Sequence, residues 1–198
     1  RAGLLAASEA SQLRLTHDRV HVKVVGHHDE YQCTYVRLDA MHQESPLLVQ
    51  KIMPYFDPPE NQRYVHHISL FHCRDDAEGI GSVTGDRKAF KCTHKPFWPG
   101  CERMMYTYNG GDGFVMPPGK GIRLPDRGAL LQVHYKSHDA VSFIRHPLLT
   151  KSLGRRLFVD SSGFQLEVRP EGPDVIPYQF FELGPRWGML HIPPGLPS

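Results

Sequence analysis

The run Val65-His66-His67-Ile68-Ser69-Leu70-Phe71-His72-Cys73 contains β-branched and aromatic residues and no Gly, Pro, Asp or Asn. It reads as one uninterrupted strand. The same signature recurs at Arg19–Val25, Tyr31–Leu38, Leu47–Met53, Met104–Tyr108, Ala129–Lys136, Phe164–Val168, Tyr178–Leu183 and Trp187–Ile192, bounded by Gly, Pro, Asp or Asn. Seventeen prolines and eighteen glycines cut the chain into such short pieces. Beyond the N-terminal stretch, no window shows clean helical periodicity. Nine short strands predict an all-β fold, an antiparallel β-sandwich of jelly-roll type. The one helix expected is Ala6–Leu15, with Leu4, Leu5, Leu13 and Leu15 as its apolar contacts. It belongs to an N-terminal segment, 1–18, preceding a single domain over 19–198 with no internal repeat.

Charged residues make up 22% of the 198 and the net charge is +2. No block of about five like charges occurs, which excludes nucleic acid as a partner class. Nothing approaches the roughly 18 uninterrupted apolar residues of a spanning helix, so no membrane is required. Gly3-Leu4-Leu5-Ala6-Ala7 is too short for a complete signal-peptide core, and the sequence begins at Arg1, consistent with removal of an upstream segment. Compartment therefore rests on the cysteines. Cys33, Cys73, Cys92 and Cys101 form no C-x-x-C pair and allow three disulfide pairings. The proline- and aromatic-rich loop between Cys92 and Cys101 is suited to a covalent staple. Two disulfides in a secreted or lumenal protein is the expectation, against buried free thiols in a reducing compartment.

The doublet His66-His67 and a third histidine, His134 in Leu131-Gln132-Val133-His134-Tyr135, supply three imidazoles that strands could bring together. Neutral imidazole nitrogen suits copper, zinc, iron or nickel. Alternation puts Leu131, Val133 and Tyr135 on one face and Leu130, Gln132, His134 and Lys136 on the other, more polar face. A regular strand points the two histidines of a doublet to opposite faces. Joint chelation by His66 and His67 therefore needs a bulge, a strand end or an ion at the sheet rim. A second doublet, His27-His28, precedes Asp29-Glu30 and reads as a solvated turn, so adjacency alone proves little.

The ordered blocks Tyr31-x-Cys33, His66-His67-x-x-Leu70-Phe71-x-Cys73, Cys92, Cys101, Pro118-Gly119-Lys120-Gly121, Leu131-Gln132-Val133-His134-Tyr135, Asp160-Ser161-Ser162-Gly163 and Ile192-Pro193-Pro194-Gly195 carry a family resemblance. Together they resemble the N-terminal domain of the copper type II, ascorbate-dependent monooxygenases, which include peptidylglycine alpha-hydroxylating and dopamine beta-monooxygenases. The resemblance implies that His66, His67 and His134 hold a copper ion that stores and delivers an electron. A low-coordinate, all-imidazole site can keep both Cu(I) and Cu(II), which such a centre requires. It further implies disulfides Cys33–Cys92 and Cys73–Cys101, the latter anchoring the strand end beside the doublet, and places Tyr31 and Gln132 close to the copper.

In the family, ascorbate reduces two coppers, oxygen is activated at the second, and a substrate C–H becomes C–OH. The second copper uses His-x-His and a methionine from a following domain. No His-x-His occurs in this sequence. The resemblance therefore implies the electron-supplying half of an enzyme, one copper per chain, with no catalytic residue of its own and a second copper domain C-terminal to it as partner. The substrate, a small molecule or peptide, is not assigned: Ser161 resembles the dopamine branch, whereas Leu131-Gln132-Val133-His134-Tyr135 resembles the peptidylglycine branch. A free-standing secreted copper-binding module is the alternative, and a structural sandwich with incidental histidines a third.

The remaining candidates are weaker. His72 shares strand parity with His66 but lies roughly 20 Å along the strand, too far for one ion. His17, His21 and His191 are isolated, and His94 and His138 are at most outer groups around the copper. Ser161-Ser162 lacks a G-x-S-x-G elbow. Met104-Met105 suits core packing, and Gly110-Gly111-Asp112-Gly113 is followed by no helix that could bind phosphate.

Overall fold

The computed structural model describes residues 10–25, 29–38, 45–74, 87–94, 98–125, 127–136 and 155–178. Within these, thirteen strands run β1 Ser11–Thr16, β2 Val20–Val25, β3 Glu30–Arg37, β4 Leu47–Tyr55, β5 Val65–Cys73, β6 Ala89–Lys91, β7 Arg103–Tyr108, β8 Phe114–Val115, β9 Lys120–Arg123, β10 Gly128–Tyr135, β11 Arg155–Asp160, β12 Gly163–Pro170 and β13 Ile176–Tyr178. One sheet has the order β1-β12-β4-β9-β13, with β8 also on β4; a second has the order β6-β3-β10-β5-β7; β11 and β2 form a separate pair. All pairings are antiparallel except β13 with β9. The expected all-β sandwich is the fold.

Period-2 alternation explains the main core. Leu15, Ile52, Phe164 and Leu166 from one sheet meet Val36, Ile68, Leu70, Leu131 and Val133 from the other. Each is essentially removed from water, and the burial of such side chains is worth about 1.5–3 kcal/mol apiece. The opposite face of β10 is also covered. Leu130 packs there with Cys33, Tyr35, Phe71, Cys73 and Cys101, under Phe90 and Trp98. Strand β10 is consequently buried along its whole length, Gln132 and His134 included. The polar face expected for His134 is thus a second, roofed interior rather than a solvated surface.

A buried carboxylate ties the ends of these elements together. Asp160 accepts hydrogen bonds from the Tyr135 hydroxyl at 2.6 Å, the Asn61 amide at 2.8 Å, and the Ser162 hydroxyl and backbone N–H at 2.8 and 2.9 Å. Asn61 lies on a 3-10 helix, Pro59–Tyr64, that leads directly into β5. The Lys136 N–H just beyond β10 donates to the Tyr64 carbonyl at 2.8 Å. Asp160-Ser161-Ser162-Gly163 thus fastens the end of β10 that bears His134, and Ser162 is a structural hydroxyl.

Several expectations are corrected. The helix expected over Ala6–Leu15 is not formed where the chain is described: Ser11–Thr16 is strand, paired residue for residue with β12. The alternating pattern of Leu13 and Leu15, with Leu15 fully buried, fits the sheet as well as a helix face, and the partner strand decides between them. Strands β6, β8, β9 and β11 were not expected. Three are only two to four residues long, and β11 begins with two arginines. Residues beyond Tyr178, with most of one expected strand and all of Trp187–Ile192, lie outside the described residues.

Candidate metal centre

Strand pairing alone places His134 opposite His67 and opposite Tyr31. The next ladder step pairs Tyr135 with Val65, so His66 is the extra residue of a β-bulge on β5. Val65 and Ile68 both enter the main core. The two residues between them, His66 and His67, are left together on the other face. The bulge removes the geometric objection to a chelating doublet.

The three rings converge through the same nitrogen. His66 Nδ1 stands 3.2 Å from His67 Nδ1, and His67 Nδ1 stands 3.3 Å from His134 Nδ1. One ligand atom from each residue falls within 4.8 Å of the others. Two nitrogens bound at about 2.0–2.1 Å to one ion stand roughly 3.3 Å apart in tetrahedral geometry, so a transition metal fits with small ring movements. For His134 and His67, burial together with the neighbouring histidines favours the neutral ring that a metal needs. The pKa of His134 is lowered to about 4, by burial first and then by His67, against the opposing pull of Asp29. That of His67 is lowered by burial and by His66, with Gln132 and Asp29 opposing.

Other side chains fix the rings. Tyr31 stacks on His134, centroids 4.1 Å apart and planes within 7°, and meets His67 edge-on at 6.2 Å. Gln132 interacts with His67 and donates to the Thr93 carbonyl at 2.8 Å, coupling β10 to the segment after Cys92. The outer nitrogen of His134, Nε2, is buried and makes no hydrogen bond among the described residues, but the Asp29 carboxylate stands 3.4 Å away. Asp29 was missed in the sequence because it follows the doublet His27-His28 in what reads as a solvated turn; its position two residues before Tyr31 was the available signal. His27-His28 itself lies outside the described residues.

The structure forms both disulfides, Cys33–Cys92 and Cys73–Cys101. Their placement corrects one expectation. Cys73 pairs with Gly128 at the far end of β5 from the doublet, whereas Cys33 pairs with Gln132, two residues from His134. Cys33–Cys92, not Cys73–Cys101, is the bridge beside the histidines. His72 is likewise at the far end, opposite Ala129. Met105 is core, while Met104 sits against the second cluster. His94 is near the site, lining a cavity with His67; His138 lies outside the described residues.

The model of the N-terminal domain of copper type II ascorbate-dependent monooxygenases matches residues 14–142. The chain belongs to this family. The matched span of this monooxygenase domain holds all three histidines, Tyr31, Gln132 and both disulfides. It also begins within β1, the strand mistaken for a helix. A comparison with curated proteins found no match.

Proposed function

We propose that this domain binds one copper ion through the Nδ1 atoms of His66, His67 and His134 and serves as the electron-supplying half of a secreted or lumenal, ascorbate-dependent monooxygenase. The observation that carries the reading is the bulge that turns a vicinal doublet onto one face opposite His134. Copper there would supply one-electron storage. The chain's own residues supply the rest. Three imidazoles on rigid strands hold the ion in both oxidation states, Tyr31 and Gln132 fix ring orientation, and Asp29 faces the outer nitrogen of His134. Bond cleavage at the substrate, a small molecule or peptide, belongs to a second copper domain C-terminal to this one. In this reading the part played by the domain over 19–198 is electronic and positional rather than acid–base.

The test is metal analysis of untagged protein. One copper per chain is expected, lost in His134→Ala, with hydroxylation only when a second copper domain is supplied. Undiminished copper in His134→Ala overturns the site.

A further inference from the structure

The chain has two asparagines, and the fold treats them in opposite ways. Asn61 is 3% exposed, its amide donates to the Val159 carbonyl at 2.9 Å and to Asp160 Oδ1 at 2.8 Å, and a glutamine follows it. It is locked in place. Asn109 is exposed, stands just beyond β7, and opens the run Asn109-Gly110-Gly111-Asp112-Gly113. We propose that Asn109-Gly110 is a spontaneous deamidation site that places a carboxylate on the wall of the cavity beside His67.

Deamidation needs the backbone nitrogen of the next residue to reach the asparagine side-chain carbonyl carbon, and a side chain on that residue obstructs it. Glycine has none. A Cβ built on Gly110 or Gly111 meets nothing within 4 Å, so nothing packs against the stretch that must rearrange. The Gly110 nitrogen, having given its proton to solvent base, bonds to Asn109 Cγ; the Cγ–Nδ2 bond breaks and ammonia leaves, closing a succinimide ring. Water then opens the ring at Cγ to give aspartate, or at the Asn109 backbone carbonyl carbon to give isoaspartate. One water is consumed, one ammonia is released and no electron is transferred. The chemistry is the chain's own and calls for no bound ion. Asp112-Gly113 has the composition to close the same ring, but a Cβ at Gly113 would run into the Ile52 carbonyl and Met53 of β4. That glycine is pressed against a neighbouring strand, and Gly110 is not.

Position gives the reaction its consequence. Asn109 lines a cavity of about 210 Å³ together with His67, Ser69, His94, Thr107 and Gln132, and no carboxylate among the described residues lines it. Deamidation supplies the first, and it is ionised at neutral pH because an aspartate side chain titrates near pH 4. A recess without fixed negative charge then attracts cations and repels anions. The isoaspartate product acts on the backbone as well. It routes the chain through the former side chain, adding one main-chain atom to the loop that carries β7 of the five-stranded sheet into β8 of the six-stranded one. Both changes accumulate with the age of the molecule.

The test follows the metal-free 198-residue chain in warm, mildly alkaline buffer, folded and in urea, by tryptic peptide mapping. In the folded chain the Met104–Lys120 peptide should gain about 1 Da, the mass of an amide turned acid. Its rate should lie within about threefold of that in urea, because exposed loops open at almost no cost. The Ile52–Arg63 peptide, which carries Asn61, should convert at least about a hundredfold more slowly folded than unfolded, because its amide is released only by a larger opening. Asn109→Gln, whose longer side chain closes the wrong ring size, should leave Met104–Lys120 unmodified. Asn109→Asp should shift the backbone amides of Ser69, His94 and Thr107, and the aged parent should develop shifts at the same three residues. A Met104–Lys120 peptide that converts in urea but stays intact in the folded chain overturns the site, as does a mass gain that persists in Asn109→Gln. Conversion that leaves all three amides in place overturns the entry of the new carboxylate into the cavity.

Discussion

His67 and His134 face each other across the β5–β10 ladder with their Nδ1 atoms 3.3 Å apart, and a one-residue bulge adds His66 to the same face. Because the bulge depends on Val65 pairing with Tyr135, the three rings are held by the sheet and not by a loop. Replacing His66, His67 or His134 singly with Ala should lower copper affinity by more than the roughly 10–100-fold typical of outer partners. Competition against a chelator measures it. Equal affinity in His66→Ala would mean that the bulged residue is not a ligand.

Asp29 is half-exposed and its carboxylate lies 3.4 Å from His134 Nε2. Metal-bound histidines generally hand their second nitrogen to a carboxylate or carbonyl, which fixes the ring and raises its basicity. Asp29→Asn should therefore weaken copper binding roughly 10–100-fold. Unfolding free energy should change by less than about 0.5 kcal/mol, as for ordinary surface substitutions. A loss of stability without a change in affinity would assign Asp29 to folding instead.

The fold class, the location of β5 and β10 and the three convergent histidines were legible because period-2 patterning and β-branched residues mark central strands directly. Val65–Cys73 has the same limits in sequence and structure. The bulge was only one of three geometric options, since register is set by pairing and not by β5 itself. Strand β1 was misread because Leu13 and Leu15 satisfy two periodicities until Phe164 and Leu166 of β12 are brought alongside. Roofing of the His134 face was hidden for the same reason: Phe90, Trp98 and Cys101 are distant in sequence and reach it only through β6 and the two disulfides.

His17 follows β1, is 1% exposed, and interacts through Nδ1 with the Thr34 hydroxyl, while Nε2 is buried without a hydrogen bond among the described residues. Burial lowers its pKa from 6.5 to about 3. The unfolded chain therefore binds a proton that the folded chain refuses. Stability from this group is present above pH 6.5 and is lost as pH falls, at about 1.4 kcal/mol per pH unit, until roughly pH 3. Denaturant unfolding at pH 7, 6, 5 and 4 should show that slope reduced by one proton in His17→Gln. Parallel pH profiles for the two proteins would show that His17 accepts its proton in the folded state.

Gly163 opens β12 opposite Thr16, and a Cβ there would run into the backbone carbonyl of Leu15. Backbone cannot yield as a side-chain tip can. Gly163→Ala should destabilise the protein by about 1–3 kcal/mol, the usual cost of overpacking a tight site. Protection of the β1 amides against hydrogen exchange should fall first. Unchanged protection in Ser11–Thr16 would contradict the pairing that replaces the expected helix.

The two disulfides should separate stability from metal binding. Cys33–Cys92 closes 59 residues and Cys73–Cys101 closes 28. Loop-entropy estimates give about 4 and about 3.5 kcal/mol respectively, nearly the same. Their neighbourhoods differ. Cys33 lies across from Gln132, whose amide holds the Thr93 carbonyl and whose side chain contacts His67. Cys73 lies across from Gly128, at the far end of β5. Replacing Cys33 and Cys92 together with Ser should lower both unfolding free energy and copper affinity, because the segment after Cys92 no longer steadies Gln132. Replacing Cys73 and Cys101 should lower stability to a similar degree and leave affinity within about twofold of the parent, since additivity holds for sites that share no partner. Thermal unfolding and chelator competition on both variants decide it. A larger affinity loss in the Cys73, Cys101 variant would restore that bridge as the anchor of the histidine cluster.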